Sequence, residues 1–180
     1  MYDPAGLPPM PSRRTTTPFP AYSYVPNQFP HPRSNPAGHS FGKPEPNVNA
    51  EDKTAIRELH DRAVDLFNHG YYWESHEAWE AIWHAFGRTS PTAVLCKGLI
   101  KLAAAGVKAR QRSWAGVERH AARASELLRV AGDSKCLDPA IRLDVSFTEL
   151  IQQCSILVSH PDGAVQRRNS NVVRVIPMVL

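Results

Sequence analysis

The sequence predicts an all-α protein: a compact bundle of about five helices, a disordered Pro-rich N-terminal tail and a flexible C-terminal tail. Three observations carry this reading. Up to residue 165, apolar residues recur at spacings of three and four rather than two, the helical period and not the strand period. Helix caps and glycine stops separate these runs. Twelve of the sixteen prolines fall between Pro4 and Pro46, mixed with Ser, Thr, Asn and Gly, a composition that supports neither a helix nor a sheet ladder. At 180 residues the chain suits one core with appendages. The expected division is 1–46 for the tail, 47–158 for the bundle and 159–180 for the C-terminal tail.

The tail's aromatics (Phe19, Tyr22, Tyr24, Phe29 and Phe41) stand singly between prolines, so an extended leader is expected, with no specific partner. Asn49 then caps a first helix with Ile56, Leu59, Ala63, Leu66 and Phe67 on one face, ended by Gly70. A second helix, from about Tyr72 to Phe86, is bounded by Gly70 and Gly87, and its short connection implies an antiparallel pair. Ser90 followed by Pro91 opens a third, running to about Arg112. Its small residues Gly98, Ala103, Ala104, Ala105 and Gly106 admit close neighbours, which marks it as the central helix. Ser113 caps a fourth that Gly132 ends, and a capping box from Ser146 to Glu149 opens a fifth. The β-branched run from Val172 to Leu180 fits an edge strand, a docking tail or a frayed end, and the frayed end is the favoured expectation.

No stretch has the roughly 18 consecutive apolar residues of a membrane span, and the first residues lack a signal-peptide pattern, so a cytoplasmic protein is expected. Cys96, Cys136 and Cys154 are odd in number and widely spaced, which disfavours a disulfide framework and a thiolate zinc site. A net charge of +4 is mild for this length and does not implicate nucleic acid. No P-loop, GxSxG or dinucleotide-binding glycine pattern is present. The aromatic surplus on the second helix leaves room for a homodimer.

That helix carries the candidate site. At 100 degrees per residue, Trp73, His76, Glu77, Glu80, Trp83 and His84 share about a third of its circumference. An unpaired buried carboxylate costs several kcal/mol, so a face both aromatic and ionisable needs an explanation. In one reading His76 and Glu80, one turn apart, bind a divalent metal with Glu77 as base; the HExxE pattern, with carboxylate in place of a second histidine, shifts the preference toward Mn, Fe or Mg, or toward no metal. In the other, which residue chemistry alone favours, the carboxylates pair with cations of the opposing helices. Residues 49–90 hold four basic and eight acidic residues and 91–132 hold eight and two, so Lys101, Arg119 or Arg123 could serve. His60, His69 and His120 are expected on helix surfaces, and Tyr71, Tyr72, Trp79 and Trp83 in the core or an interface.

The segments FNHGYYWESHEAWEAIW, KGLIKLAAAGVK and GVERHAARASELL together resemble the helical family catalogued as domain of unknown function 309. The resemblance spans roughly residues 55–130 and places Asn68, Gly70, Trp73, Glu74, His76, Glu77, Glu80, Trp83, Gly98, Leu99, Ile100, Ala103 to Ala105, Gly116, Arg123 and Ala124 on family positions. It implies a compact helical bundle and the label of a predicted metal-dependent hydrolase, with the metal's identity and the substrate unspecified. The expected site comprises Glu77 as catalytic base and His76 and Glu80 as metal ligands. Asn68, Trp73, Glu74, Trp83, Lys101 and Arg123 form its pocket or support. The alternative is a non-catalytic interaction module whose His/Glu/Trp face is structural. Trp79 replaces a common aliphatic residue and Lys101 a usual glutamine, and an ammonium at 101 would compete with a metal for the carboxylates.

Overall fold

The computed structural model describes residues 9–163, 171–176 and 178–180. Five helices follow one another: α1 Lys53–Asn68, α2 Tyr72–Ala85, α3 Pro91–Arg110, α4 Trp114–Gly132 and α5 Phe147–Ser159, with a single 3-10 turn at Pro161–Gly163. Each helix packs on the next in sequence, and α3, with α2 on one side and α4 on the other, is central as its small residues predict. Among the described residues there is no strand, and no helix is long and apolar enough to cross a membrane.

Local chemistry explains most of the boundaries. Ser90 accepts a bond from Ala93 N with Pro91 in the first turn, and Ser146 and Glu149 form the reciprocal capping box. The cap of α1 is a correction: Asp52, not Asn49, accepts from Ala55 N. Asn49 instead accepts from Glu51 N, closing a side-chain turn one step earlier, a role open to the same residue type. Gly70 ends α1 at φ 89°, a conformation that side chains disfavour, and the backbone of Val173 passes so close that a Cβ would lie 2.8 Å from its carbonyl oxygen.

The core fills the space between the helices with Ile56, Phe67, Tyr72, Trp79, Ile82, Leu95, Leu99, Leu102, Leu128 and Leu150. Two glycines of α3 set its approach distances. A Cβ on Gly98 would sit 3.0 Å from the Leu128 side chain of α4, and one on Gly106 would sit 2.5 Å from the Tyr72 ring of α2. Trp79 is fully buried, and its Nε1–H donates to His60 Nδ1 at 3.2 Å. His60 is therefore not a surface residue. Its other nitrogen donates to the Arg142 carbonyl at 2.7 Å, and burial pushes the imidazole down to about 4.

The segments flanking the bundle differ most from expectation. Residues 9–50 form neither helix nor strand, as their prolines require, yet they run along α1 and α2 as a strap tied down by specific contacts. Val25 and Tyr22 are buried. The carboxylate of Asp65, itself buried, accepts from Arg14 N and Thr15 N at 2.8 Å and from Thr15 Oγ at 2.7 Å. Phe19 stacks on Tyr71 with the guanidiniums of Arg13 and Arg62 over its ring. The C-terminal run does not fray either. Val173, Val175, Ile176, Met178 and Leu180 are buried, and the Tyr72 hydroxyl accepts from Val175 N and Ile176 N. Hydrophobic burial orders a segment whose own hydrogen bonding could not.

Candidate functional site

The helical turn of α2 sorts its residues into two stripes. Tyr72, Ser75, Ala78, Trp79 and Ile82 face the core. His76, Glu77 and Glu80 occupy the next stripe and are partly exposed, so the expected conflict of carboxylates on the apolar face does not arise. One coordinating atom from each of these three lies within 4.8 Å of the others. His76 Nδ1 is 3.6 Å from Glu77 Oε1 and 3.9 Å from Glu80 Oε2. It is buried and has no hydrogen-bond partner, an unusual state for a ring nitrogen. His120 of α4 also feels this edge. Burial first, then the charges of Lys101, Arg119, Lys108 and His76, push its imidazole down to about 4. It is half-buried rather than a plain surface residue.

The cations expected from α3 and α4 are elsewhere. Among the described residues, Lys101 and Arg119 pair with neither Glu77 nor Glu80, and Arg123 pairs with Glu126 of its own helix at 2.6 Å. The partner of Glu77 comes from the strap: Arg33 Nε lies 3.5 Å from Glu77 Oε2. Glu74 is also held by the strap, its Oε1 accepting from Tyr24 N at 2.8 Å and meeting His39 Nε2 at 3.0 Å. The acidic excess of α1 and α2 is thus met largely by Arg13, Arg14, Arg33 and His39. A count of charges over 49–132 could not find this, because it stopped short of the segment supplying the cations.

The supporting residues separate in the same way. Trp73 packs edge-on against Tyr24 and His31 of the strap. Trp83 lies under Arg88 and Lys97 and donates to the Arg88 carbonyl. Asn68 binds the far end of the chain, its amide donating to Leu180 O at 3.1 Å and accepting from Leu180 N at 2.8 Å. Asn68 therefore anchors the C-terminus rather than a pocket. Between strap and helices lies a cleft of about 170 Å³, bordered by Arg33, His39, Arg62, Trp73, Glu74 and Glu77. It reaches the cluster only through Glu77.

This stretch of α1 to α4 is what the comparison with known families recognises: residues 60–120 match the family described as Domain of unknown function (DUF309). The chain carries a DUF309 domain. No curated protein and no solved structure matches the chain. The DUF309 match begins at His60, beyond the strap, and ends at His120, so the residues that hold Glu74 and Glu77 from outside lie beyond the matched region.

Proposed function

We propose that the His76–Glu77–Glu80 cluster of the DUF309 domain binds a divalent cation and supports metal-assisted hydrolysis of a small polar substrate. The observation that carries this reading is the buried Nδ1 of His76, which lacks a hydrogen bond and is directed at two carboxylates 3.6 and 3.9 Å away. Metal–ligand bonds of about 2.1 Å imply neighbouring donors about 3.0 Å apart around an octahedral ion, so His76 Nδ1 and the two carboxylates, 3.6 and 3.9 Å from it, would have to close in by a little under 1 Å to share one. One imidazole and two carboxylates suit Mn, Fe or Mg better than a thiophilic metal. Here His76 and Glu80 hold the ion, which supplies Lewis acidity when bound. Glu77 serves as the base, its Oε2 oriented by Arg33 and its Oε1 turned to His76.

A second reading rests on the same arginine. Because Arg33 neutralises Glu77 and His39 holds Glu74, the acidic face of α2 can be a seat for the strap, its role structural. Metal content by mass spectrometry on protein purified without chelator separates the two. Near-stoichiometric Mn or Fe in the wild type, lost in a folded His76→Ala, Glu80→Ala variant, is the expected result. A wild type that resists loading with Mn, Fe and Mg would leave the seat for the strap.

A further inference from the structure

Three cations beside the α2 cluster have no carboxylate partner. Among the described residues, Lys101 and Lys108 of α3 and Arg119 of α4 form no ion pair, and Lys108 Nζ donates only to the neutral Gln111 Oε1, at 2.9 Å. Helix packing brings them to one edge of the bundle. Lys97 lies over the Trp83 ring at 5.5 Å and Gly106 meets the Tyr72 ring, so Lys101, between them on α3, falls level with the part of α2 that carries His76 and Glu80. On its other side α3 meets α4. Gly98 faces Leu128, and Lys108 lies across Gly116, where a Cβ would be 2.9 Å from its Cδ, so Arg119 and His120 come alongside the same part of α3. Lys101 and Lys108 are two helical turns apart and share an edge, with only the small, partly exposed Ala104 between them. His120 registers the positive field there: after burial, the charges of Lys101, Arg119, Lys108 and His76 keep its imidazole neutral at pH 7.

We propose that this edge, formed by Lys101, Lys108, Arg119 and His120, binds a phosphate monoester group, the anionic part of a small substrate that reaches the α2 cluster beside it. As a statement about the substrate, this rests on the metal-assisted hydrolysis proposed above; the anion site itself is made of α3 and α4 side chains and needs no ion. Charge and extent restrict the ligand. A phosphate monoester carries about −1.5 to −2 near pH 7 and three strong acceptor oxygens, which suits three cations and the N–H of a neutral imidazole. A carboxylate brings a single charge. An extended polyanion is disfavoured, because the basic edge is bounded by acids, Glu77 and Glu80 on α2 and Glu118 and Glu126 on α4. Lys101, Lys108 and His120 are partly exposed and Arg119 is exposed, so their polar ends are open to a ligand from solvent.

Protein-observed NMR on the full, metal-free chain tests this, with methyl phosphate as the probe and acetate as the control, in about 0.15 M chloride to screen general attraction. Methyl phosphate is expected to give saturable shifts centred on Lys101, Ala104 and His120, with a Kd on the order of 1 mM or tighter. Acetate should bind at least about fivefold more weakly. Lys101→Gln and Arg119→Gln should each raise the Kd about three- to tenfold. Lys135→Gln, an exposed cation beyond the far end of α4, should leave it within about twofold. No saturable binding, shifts centred elsewhere, or acetate binding as tightly as methyl phosphate overturns the proposal. Should a variant unfold, the position of the wild-type shifts decides. Loading with Mn then separates the two readings. A chain that binds methyl phosphate at this edge but takes up no Mn keeps the anion site and loses the hydrolase; one that takes up Mn but binds no methyl phosphate keeps the metal and refutes the anion site.

Discussion

Asp65→Ala should release the strap. Asp65 is 1% exposed, and its carboxylate receives three hydrogen bonds from two consecutive strap residues, at 2.8, 2.8 and 2.7 Å. Bonds to a charged group contribute about 1.5–3 kcal/mol each, so the gross loss approaches ~5–9 kcal/mol. Two effects reduce it. Once the strap lifts away, its freed donors bind water, and alanine removes the desolvation penalty of the carboxylate itself. The cost then cannot exceed the net docking free energy of the strap plus the damage to α1, which puts the observable at about 2–4 kcal/mol. Urea denaturation gives that number, and limited proteolysis within residues 9–50 shows whether the strap is the part that moves. Thr15→Val, which deletes only the hydroxyl donor, should cost less and be strongly non-additive with Asp65→Ala. An Asp65→Ala protein within about 0.5 kcal/mol of wild type, with proteolysis of the strap unchanged, would refute the view that this carboxylate anchors it.

Gly106→Ala drives a Cβ to 2.5–2.8 Å from the Tyr72 ring, whose hydroxyl is fixed by the backbone of Val175 and Ile176. The expected loss is about 3 kcal/mol, read as a fall in Tm of about 5–10 °C. The imidazole of His60 is held from its ordinary 6.5 down to about 4, so the unfolded chain takes up a proton that the folded one refuses; at about 1.4 kcal/mol per pH unit, stability should fall by ~3 kcal/mol between pH 6.5 and 4. A His60→Gln variant should show a flatter profile over that window in denaturant titrations. Arg33→Ala, which removes a positive charge beside the α2 cluster, should tighten Mn binding there by about two- to fivefold, the free energy of a partly exposed ion pair, in isothermal titration; unchanged affinity would mean that the Arg33 charge does not oppose the ion.

What could be read from the sequence was what local chemistry determines. The Ser90–Pro91 start, the Ser146–Glu149 capping box, the Gly70 stop and the small residues of α3 each act within a few residues or at one helix contact, and all four stand as expected. The grouping of His76, Glu77 and Glu80 followed from the helical period in the same way. What the sequence hid was long-range pairing. His60 looked like a surface histidine because its two partners, Trp79 and Arg142, lie far along the chain. The strap looked like a free tail because composition reports the secondary structure a segment cannot form, not the surface it can bind. The clue was the acidic excess of residues 49–90: Asp65 and Glu74 lie on buried positions of their helices and need donors from somewhere. With Lys101, Arg119 and Arg123 paired with neither Glu77 nor Glu80, the basic and histidine-bearing Pro-rich segment supplies the partners. Prolines assist this role, since a chain with restricted φ loses less entropy when it is laid along a surface. The strap is also joined to other parts of the chain, Arg14 to Asp61 and Asp144, and Ser23 to Asn171. Cutting any one of these ties should therefore loosen the strap only in part, whereas removing Asp65, which holds two successive residues, cuts three bonds at once.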